Sequence, residues 1–185
     1  MRIFCDADDV LINTVECWVE LINKTYNQNV KPETVTDWDA TKAYPNLTKE
    51  QVYGVLNADT LWYMVEPLPG SKEYLKRLLD DGHEVYITTA SDYRTASAKI
   101  MRLLEMFPFL TERHIIIIKN KQILQGGVMI DDGLHNLIGG NYEKILFTKP
   151  HNQSFDAENS GMYRANNWQQ VYALVNEIAK KQTEA

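Results

Sequence analysis

The chain has 185 residues, 44% hydrophobic and 24% charged, with a formal net charge of −6 and a pI near 5.2. That length suits one well-packed core with a small insert, and the acidic balance argues against a general nucleic-acid or membrane-surface binder. No apolar run approaches the roughly 20 residues of a membrane helix, no signal-peptide core precedes Asp6, and Cys5 and Cys17 lack metal or redox spacing, so a soluble cytoplasmic protein is expected.

The first predicted element is a short buried strand, "RIFCD" (2–6), which runs straight into the aspartates of "DADD" (6–9). Carboxylates that close repel one another, so folding alone gives no reason to gather them. Residues 14 to 67 then contain no convincing strand, yet are far too long for a simple connection. Trp18, Leu21 and Ile22 mark one face of a helix, and Thr48 with Gln51 forms a capping box that opens another. Around them, "TDWDATKAYP" and "ADTLWYMVEPLPG" supply aromatics and turn residues. The expectation is a mainly helical insert over 14–67, between the two parts of one core domain, 1–13 and 68–185. It leaves the sheet directly after the aspartates, so it should sit above that end as a cap.

Beyond "EPLPG" (66–70), helices alternate with strands. Leu75, Leu78 and Leu79 recur at helical spacing, with Ser71 as the expected N-cap and Gly82 as the C-terminal glycine. The strand "HEVYIT" (83–88) follows. Ile100, Leu103, Leu104 and Phe107 form a second stripe that stops at Pro108. Three more runs read as strands, "HIIII" (114–118), "GVMI" (127–130) and "KILF" (144–147). Trp168, Val171, Tyr172, Val175 and Ile178 stripe the last helix. Continuous β-branched and aromatic runs suggest strands covered on both faces. The fold class is therefore α/β: a three-layer sandwich with a central parallel sheet, plus the helical cap.

Ligands of open α/β sheets bind beyond the carboxyl ends of the strands. After the first strand come Asp6, Asp8 and Asp9; after the second, "TTAS" (88–91); near the third, Lys121; after the fourth, Asp131 and Asp132. Polar clusters at successive strand ends converge on one rim. Hard cations such as Mg²⁺ take oxygen ligands, usually one or two carboxylates plus waters and phosphate oxygens. Asp6 and Asp131 would supply such ligands, a hydroxyl and backbone N–H in "TTAS" could hold phosphate oxygens, and Lys121 would balance the excess negative charge. A carboxylate beside the metal can also attack phosphorus, with a second carboxyl two residues on handling protons.

"DADDV" resembles the first signature of haloacid-dehalogenase-superfamily phosphatases, and "VYITTAS", Lys121 and "MIDD" are similar to the later motifs in the same order. Within that superfamily, "TDWD" (36–39), "EPLPG", "FPF" (107–109), "MIDD" (129–132) and "ILFTKPHN" (145–152) resemble the 5′(3′)-deoxyribonucleotidase family. The resemblance implies a Mg²⁺-dependent phosphomonoesterase acting on nucleoside monophosphates, deoxypyrimidine forms foremost, through an aspartyl-phosphate. By resemblance, Asp6 is the nucleophile and Asp8 the acid and base, its carbonyl also binding Mg²⁺. Thr89, with Ala90, binds phosphate, Thr88 being the competing register. Lys121 secures the phosphate, ahead of Lys119. Asp131 ligates Mg²⁺ and Asp132 supports it. Trp62 and Tyr63, where the family places an aromatic wall, and Trp38 are the candidates for the base. Most relatives carry glycine where this chain has Asp9, which is expected to turn away from the phosphate and brace the loop.

Blander readings stand beside these. A lone DxD pair is more often a solvated turn than a site, and gains weight here from the order of the other clusters. The insert's aromatics could simply pack its core. His151 and Asn152 read as a loop brace, and His83, His114 and His135 as structural or surface residues. Competing functions are a phosphatase for another small phosphoester, or a catalytically silent phospho-ligand-binding protein. The expected partner is a small nucleotide, with no nucleic-acid polymer and no membrane; a homodimer is compatible with the sequence, which does not fix the assembly.

Overall fold

The computed structural model describes residues 1–184. Strand β1 (Arg2–Asp6) opens the fold and is followed by helix α1 (Thr14–Tyr26), two short helices, α2 (Lys49–Gly54) and α3 (Asp59–Met64), and then α4 (Ser71–Asp80). Next come β2 (Glu84–Thr89), α5 (Ala96–Met106), β3 (Ile115–Ile117), β4 (Gln125–Asp131) and a single turn, α6 (Leu134–Leu137). The chain ends with β5 (Asn141–Phe147), β6 (Tyr163–Ala165) and α7 (Trp168–Glu184). The strands form one parallel sheet in the order β3-β2-β1-β4-β5-β6, and helices flank it to complete the three-layer α/β sandwich. No named strand lies between β1 and α4.

Alternate side chains of each strand enter opposite cores, as the two-residue period of a strand demands. Ile3, Cys5, Ile145 and Phe147 face the larger core, which also contains Leu75 and Leu78 of α4 and the buried stripe of α7. Phe4, Met129 and Leu146 face a smaller cluster with Leu137, Tyr142 and Met162. Both faces are covered, but unequally, and β3 at the edge leaves Ile117 49% exposed.

Three details depart from the expected elements. Gly70, at φ +80, is the residue before α4, while Ser71 is the first helical residue and its buried hydroxyl makes no hydrogen bond. Strand β4 starts earlier than expected because its register shifts between Gln125 and Val128. A side chain at Gly127 there would collide with the Arg2 carbonyl, so only glycine allows the approach. Strand β6, short and carrying Arg164, has no hydrophobic run to announce it. At the far end of the chain, the buried Trp168 donates its indole N–H to the Val10 carbonyl at 2.8 Å, tying α7 to the loop after β1.

Candidate active site

The sheet order reverses between β1 and β4, and a crevice opens beyond the strand ends at such a point. Asp6, the last residue of β1, pairs in register with Thr88, and Asp131 ends the neighbouring β4. Asp6 Oδ1 accepts from the Ala7 N–H at 2.8 Å and lies 2.7 Å from Lys121 Nζ. The same ammonium donates to Asp131 Oδ2 at 2.7 Å. Asp131 Oδ1 accepts from the Gly133 N–H at 2.8 Å, and both its oxygens lie 3.1 Å from Asn136 Nδ2. Asp132 is less engaged: its carboxylate meets only His151 Nε2, at 3.5 Å, among the described residues.

One carboxylate oxygen from each of Asp6, Asp131 and Asp132 lies within 4.8 Å of the others, and all three residues are buried. Three carboxylates against the single Lys121 ammonium leave excess negative charge in a buried cluster. Burial pushes Asp6 up to about 7, against the opposing pull of Lys121, and holds Asp132 well above the usual carboxylate range. An all-oxygen donor set with uncompensated charge fits a hard divalent cation. The sequence places Asp131 foremost at this cluster, yet it is Asp132 that has oxygens to spare.

A second ammonium serves the other side. Lys99 of α5, 1% exposed, donates to Asp8 Oδ2 at 2.5 Å and to the Ala90 carbonyl at 3.2 Å. It also stands 4.5 Å above the Trp62 ring. Asp8 Oδ1 accepts from the Thr14 hydroxyl at 2.8 Å, and Thr89 Oγ1 approaches Oδ2 at 3.5 Å. Thr88 turns its hydroxyl to the Cys5 carbonyl instead, so Thr89 is the threonine that faces the acids. Ala90, Lys119 and Lys121 all line the cavity, Lys119 as an exposed residue and Lys121 as a buried one paired with Asp6 and Asp131.

Lys99 and Thr14 are absent from the sequence reading. A signal existed for the first: Lys99 shares a helix face with Leu103 and Met106, and a lysine on a buried stripe calls for a partner. Asp9 ties the loop to α1 while also lining the cavity. Its φ is +54, and its carboxylate accepts from the Val15 N–H at 3.1 Å, with Lys149 Nζ 3.8 Å away.

Above the acids lies a cavity of about 900 Å³, walled on its far side by residues from the segment between β1 and α4. Trp62 is buried in its wall. Trp38 lines it while remaining 57% exposed, its ring steeply inclined to those of His135 and His151, with centroids 4.5 and 5.2 Å apart. Tyr63 is 64% exposed and lies outside the lining. His135, set aside in the sequence as structural or surface, faces the cavity. Asn152 Nδ2 ties the Asp132 carbonyl at 2.9 Å to the Phe147 carbonyl at 2.8 Å, and His151 Nε2 meets the same Asp132 carbonyl at 3.2 Å, as a brace should.

Residues 1–182 match the family model described as 5′ nucleotidase, deoxy (pyrimidine), cytosolic type C protein (NT5C). The chain belongs to this family. The 5′(3′)-deoxyribonucleotidase of Bacillus subtilis (strain 168) is 36% identical to this NT5C-family chain over 168 residues, covering 90% of the chain and 93% of the relative. The 5′(3′)-deoxyribonucleotidase of Clostridium acetobutylicum is 28% identical over 167 residues, covering 90% of each. The fold is shared with a haloacid dehalogenase-like hydrolase of Streptococcus pneumoniae, at a TM-score of 0.65 and 18% identity, over 94% of this chain and 97% of that one. A HAD family hydrolase of Deinococcus radiodurans R1, solved with bound phosphate and sodium, aligns at a TM-score of 0.61 and 13% identity over 95% of both chains. NT5C membership makes the chain a nucleotidase, a phosphoric monoester hydrolase. Among the described residues no helix is long and apolar enough to cross a membrane.

Proposed function

We propose that this NT5C-family chain is a Mg²⁺-dependent cytoplasmic enzyme that hydrolyses nucleoside monophosphates, deoxypyrimidine forms foremost, through an aspartyl-phosphate on Asp6. The observation that carries the reading is the unlike setting of two carboxylates two residues apart. Both line the cavity, but Asp6 is buried and fixed by Lys121 and the Ala7 N–H, while Asp8 is 29% exposed at its side chain. The names of the Bacillus and Clostridium relatives support the substrate class.

With Oδ1 held by two donors, Asp6 Oδ2 is free to attack phosphorus as the bond to the nucleoside oxygen breaks. Asp8 gives its proton to that leaving oxygen, then takes one from the water that attacks the aspartyl-phosphate and releases phosphate. A bound phosphate would draw the Lys99 ammonium from Asp8 towards the phosphate oxygens, where Thr89 Oγ1 and the Ala90 N–H would also reach. Asp6, Asp132 and the Asp8 carbonyl are the groups that would hold Mg²⁺. Asp131, with its oxygens already engaged, orients Lys121. When bound, Mg²⁺ offsets the clustered negative charge and stabilises the charge that develops on the transferring phosphoryl group. Residues 14–67 act as the cap, with Trp62 and Trp38 towards the base and water excluded while the intermediate forms.

Phosphate release from a panel of 5′- and 3′-nucleoside monophosphates and sugar phosphates, with and without chelator, tests the reading. Mg²⁺-dependent release, fastest from dUMP or dTMP, is expected. Equal or faster release from sugar phosphates would sink the substrate assignment.

A further inference from the structure

Helix α1 begins with its own cap residue committed elsewhere. Asn13 stands at the cap position, yet its Oδ1 accepts from the Glu66 N–H at 2.7 Å, its Nδ2 donates to Glu16 Oε2 at 2.9 Å, and it caps no helical amide. The Val15 N–H, one of the amides a helix start leaves without an internal partner, donates instead to Asp9, 3.1 and 3.3 Å from its two carboxylate oxygens. Asp9 holds φ +54 while doing so. Glycine would adopt that backbone freely but would give α1 no acceptor. Aspartate is one of the few residues that tolerate it and still present one.

The same turn of helix touches the neighbouring acid. Thr14, the first residue of α1, donates its hydroxyl to Asp8 Oδ1 at 2.8 Å. Two successive residues of the loop after β1 are thus tied to two successive residues of α1. Lys149, from the loop after β5, supplies a counter-charge 3.8 Å from Asp9 Oδ1.

We propose that Asp9 is a positioning residue for Asp8: by capping α1 it sets Thr14, and Thr14 sets the Asp8 carboxylate. The proposal rests on the reading above in which Asp8 moves protons during hydrolysis.

Two substitutions separate the backbone from the brace. Asp9→Gly keeps the left-handed conformation and removes the acceptor, whereas Asp9→Asn keeps both. The readouts are steady-state kinetics on dTMP with Mg²⁺, and residue-resolved amide exchange across 14–17 of the folded protein. Asp9→Gly should lose protection at Val15 and lower kcat by about 10- to 100-fold, the scale of a slightly misplaced catalytic group, with KM little changed. Asp9→Asn should restore both. In a Thr14→Val background Asp9→Gly should have little further effect on kcat, because Asp9 acts through Thr14. An unchanged kcat in folded Asp9→Gly, or losses from the two substitutions that multiply, would overturn the proposal. If the wild type releases no phosphate from any nucleotide, the hydrolytic reading fails by itself. Exchange at Val15 then judges the brace, and equal protection in wild type and Asp9→Gly overturns it.

Discussion

At the carboxyl end of the sheet Asp6, Asp8, Asp131, Lys99 and Lys121 are each held by two or more polar partners, with Asp132 the exception, whereas Trp38 and Trp62, which face the same cavity from between β1 and α4, have few polar ties. Lys121 is gripped by Asp6 and Asp131, and Asp131 in turn by Gly133 and Asn136. Across the cavity, Trp38 is more than half exposed, and the buried indole N–H of Trp62 has no hydrogen-bond partner among the described residues. Reacting groups need fixed mutual positions, which a parallel ladder supplies. A binding wall needs apolar area and a few polar anchors, which short helices and turns can offer.

Substitutions on the two sides should therefore differ in size and kind. Asp6→Asn removes the proposed nucleophile and should cut phosphate release by about 10⁵-fold or more, with the circular dichroism spectrum unchanged. Residual turnover of even a few per cent would break the contrast at its strongest point. Lys99→Met should cost about 10²- to 10³-fold, chiefly in kcat, as loss of a fixed donor to developing charge does. Trp62→Leu should act on the other parameter, raising KM by about 10- to 100-fold through lost stacking. Tyr63→Leu, outside the cavity wall, should leave both kinetic constants nearly unchanged, and a large effect there would redraw the wall.

The smallest effect concerns stability. Burial pushes Asp9 from an ordinary value of 3.8 up to about 7, with Lys149 opposing. The folded state thus holds this proton more tightly than the unfolded chain. The associated stability is full below the ordinary carboxylate range and is lost as pH rises through about 7. Asn at that position does not titrate. Asp9→Asn should accordingly gain on the wild type, by on the order of 1 kcal/mol, between about pH 5 and pH 8 in denaturant melts with chelator present. A gap that stays constant with pH would mean that Asp9 titrates alike in both states.

The half of the molecule built on strand ends is also the half the sequence shows most clearly. Acids, a threonine pair and a lysine recur in chain order at the ends of apolar runs, so Asp6, Thr89, Lys121 and Asp131 can be placed before any coordinates exist. What escapes is whatever depends on rotation about a helix axis or on which oxygen is already engaged. Lys99 is hidden among ordinary surface lysines until α5 is seen to turn it inward. Asp131 and Asp132 are neighbours in sequence, and their partners tell them apart: Lys121, Gly133 and Asn136 hold Asp131, and His151 meets Asp132. Tyr63 illustrates the converse: it adjoins Trp62, but consecutive helical residues face different ways, so one enters the wall and the other meets solvent. Strand β6 escapes because three residues, two half-buried and Ala165 fully buried, carry no run and no period.

The bond from Trp168 to the Val10 carbonyl bears on the order of events during biosynthesis. The loop that carries Asp6, Asp8 and Asp9 is made first, yet one of its carbonyls waits for an indole that the ribosome adds 158 positions later. Chains are extended at about 5–20 residues per second, so the loop stays without this partner for several seconds or more. The Val10 carbonyl thus gains its indole partner only once the last helix has emerged and docked.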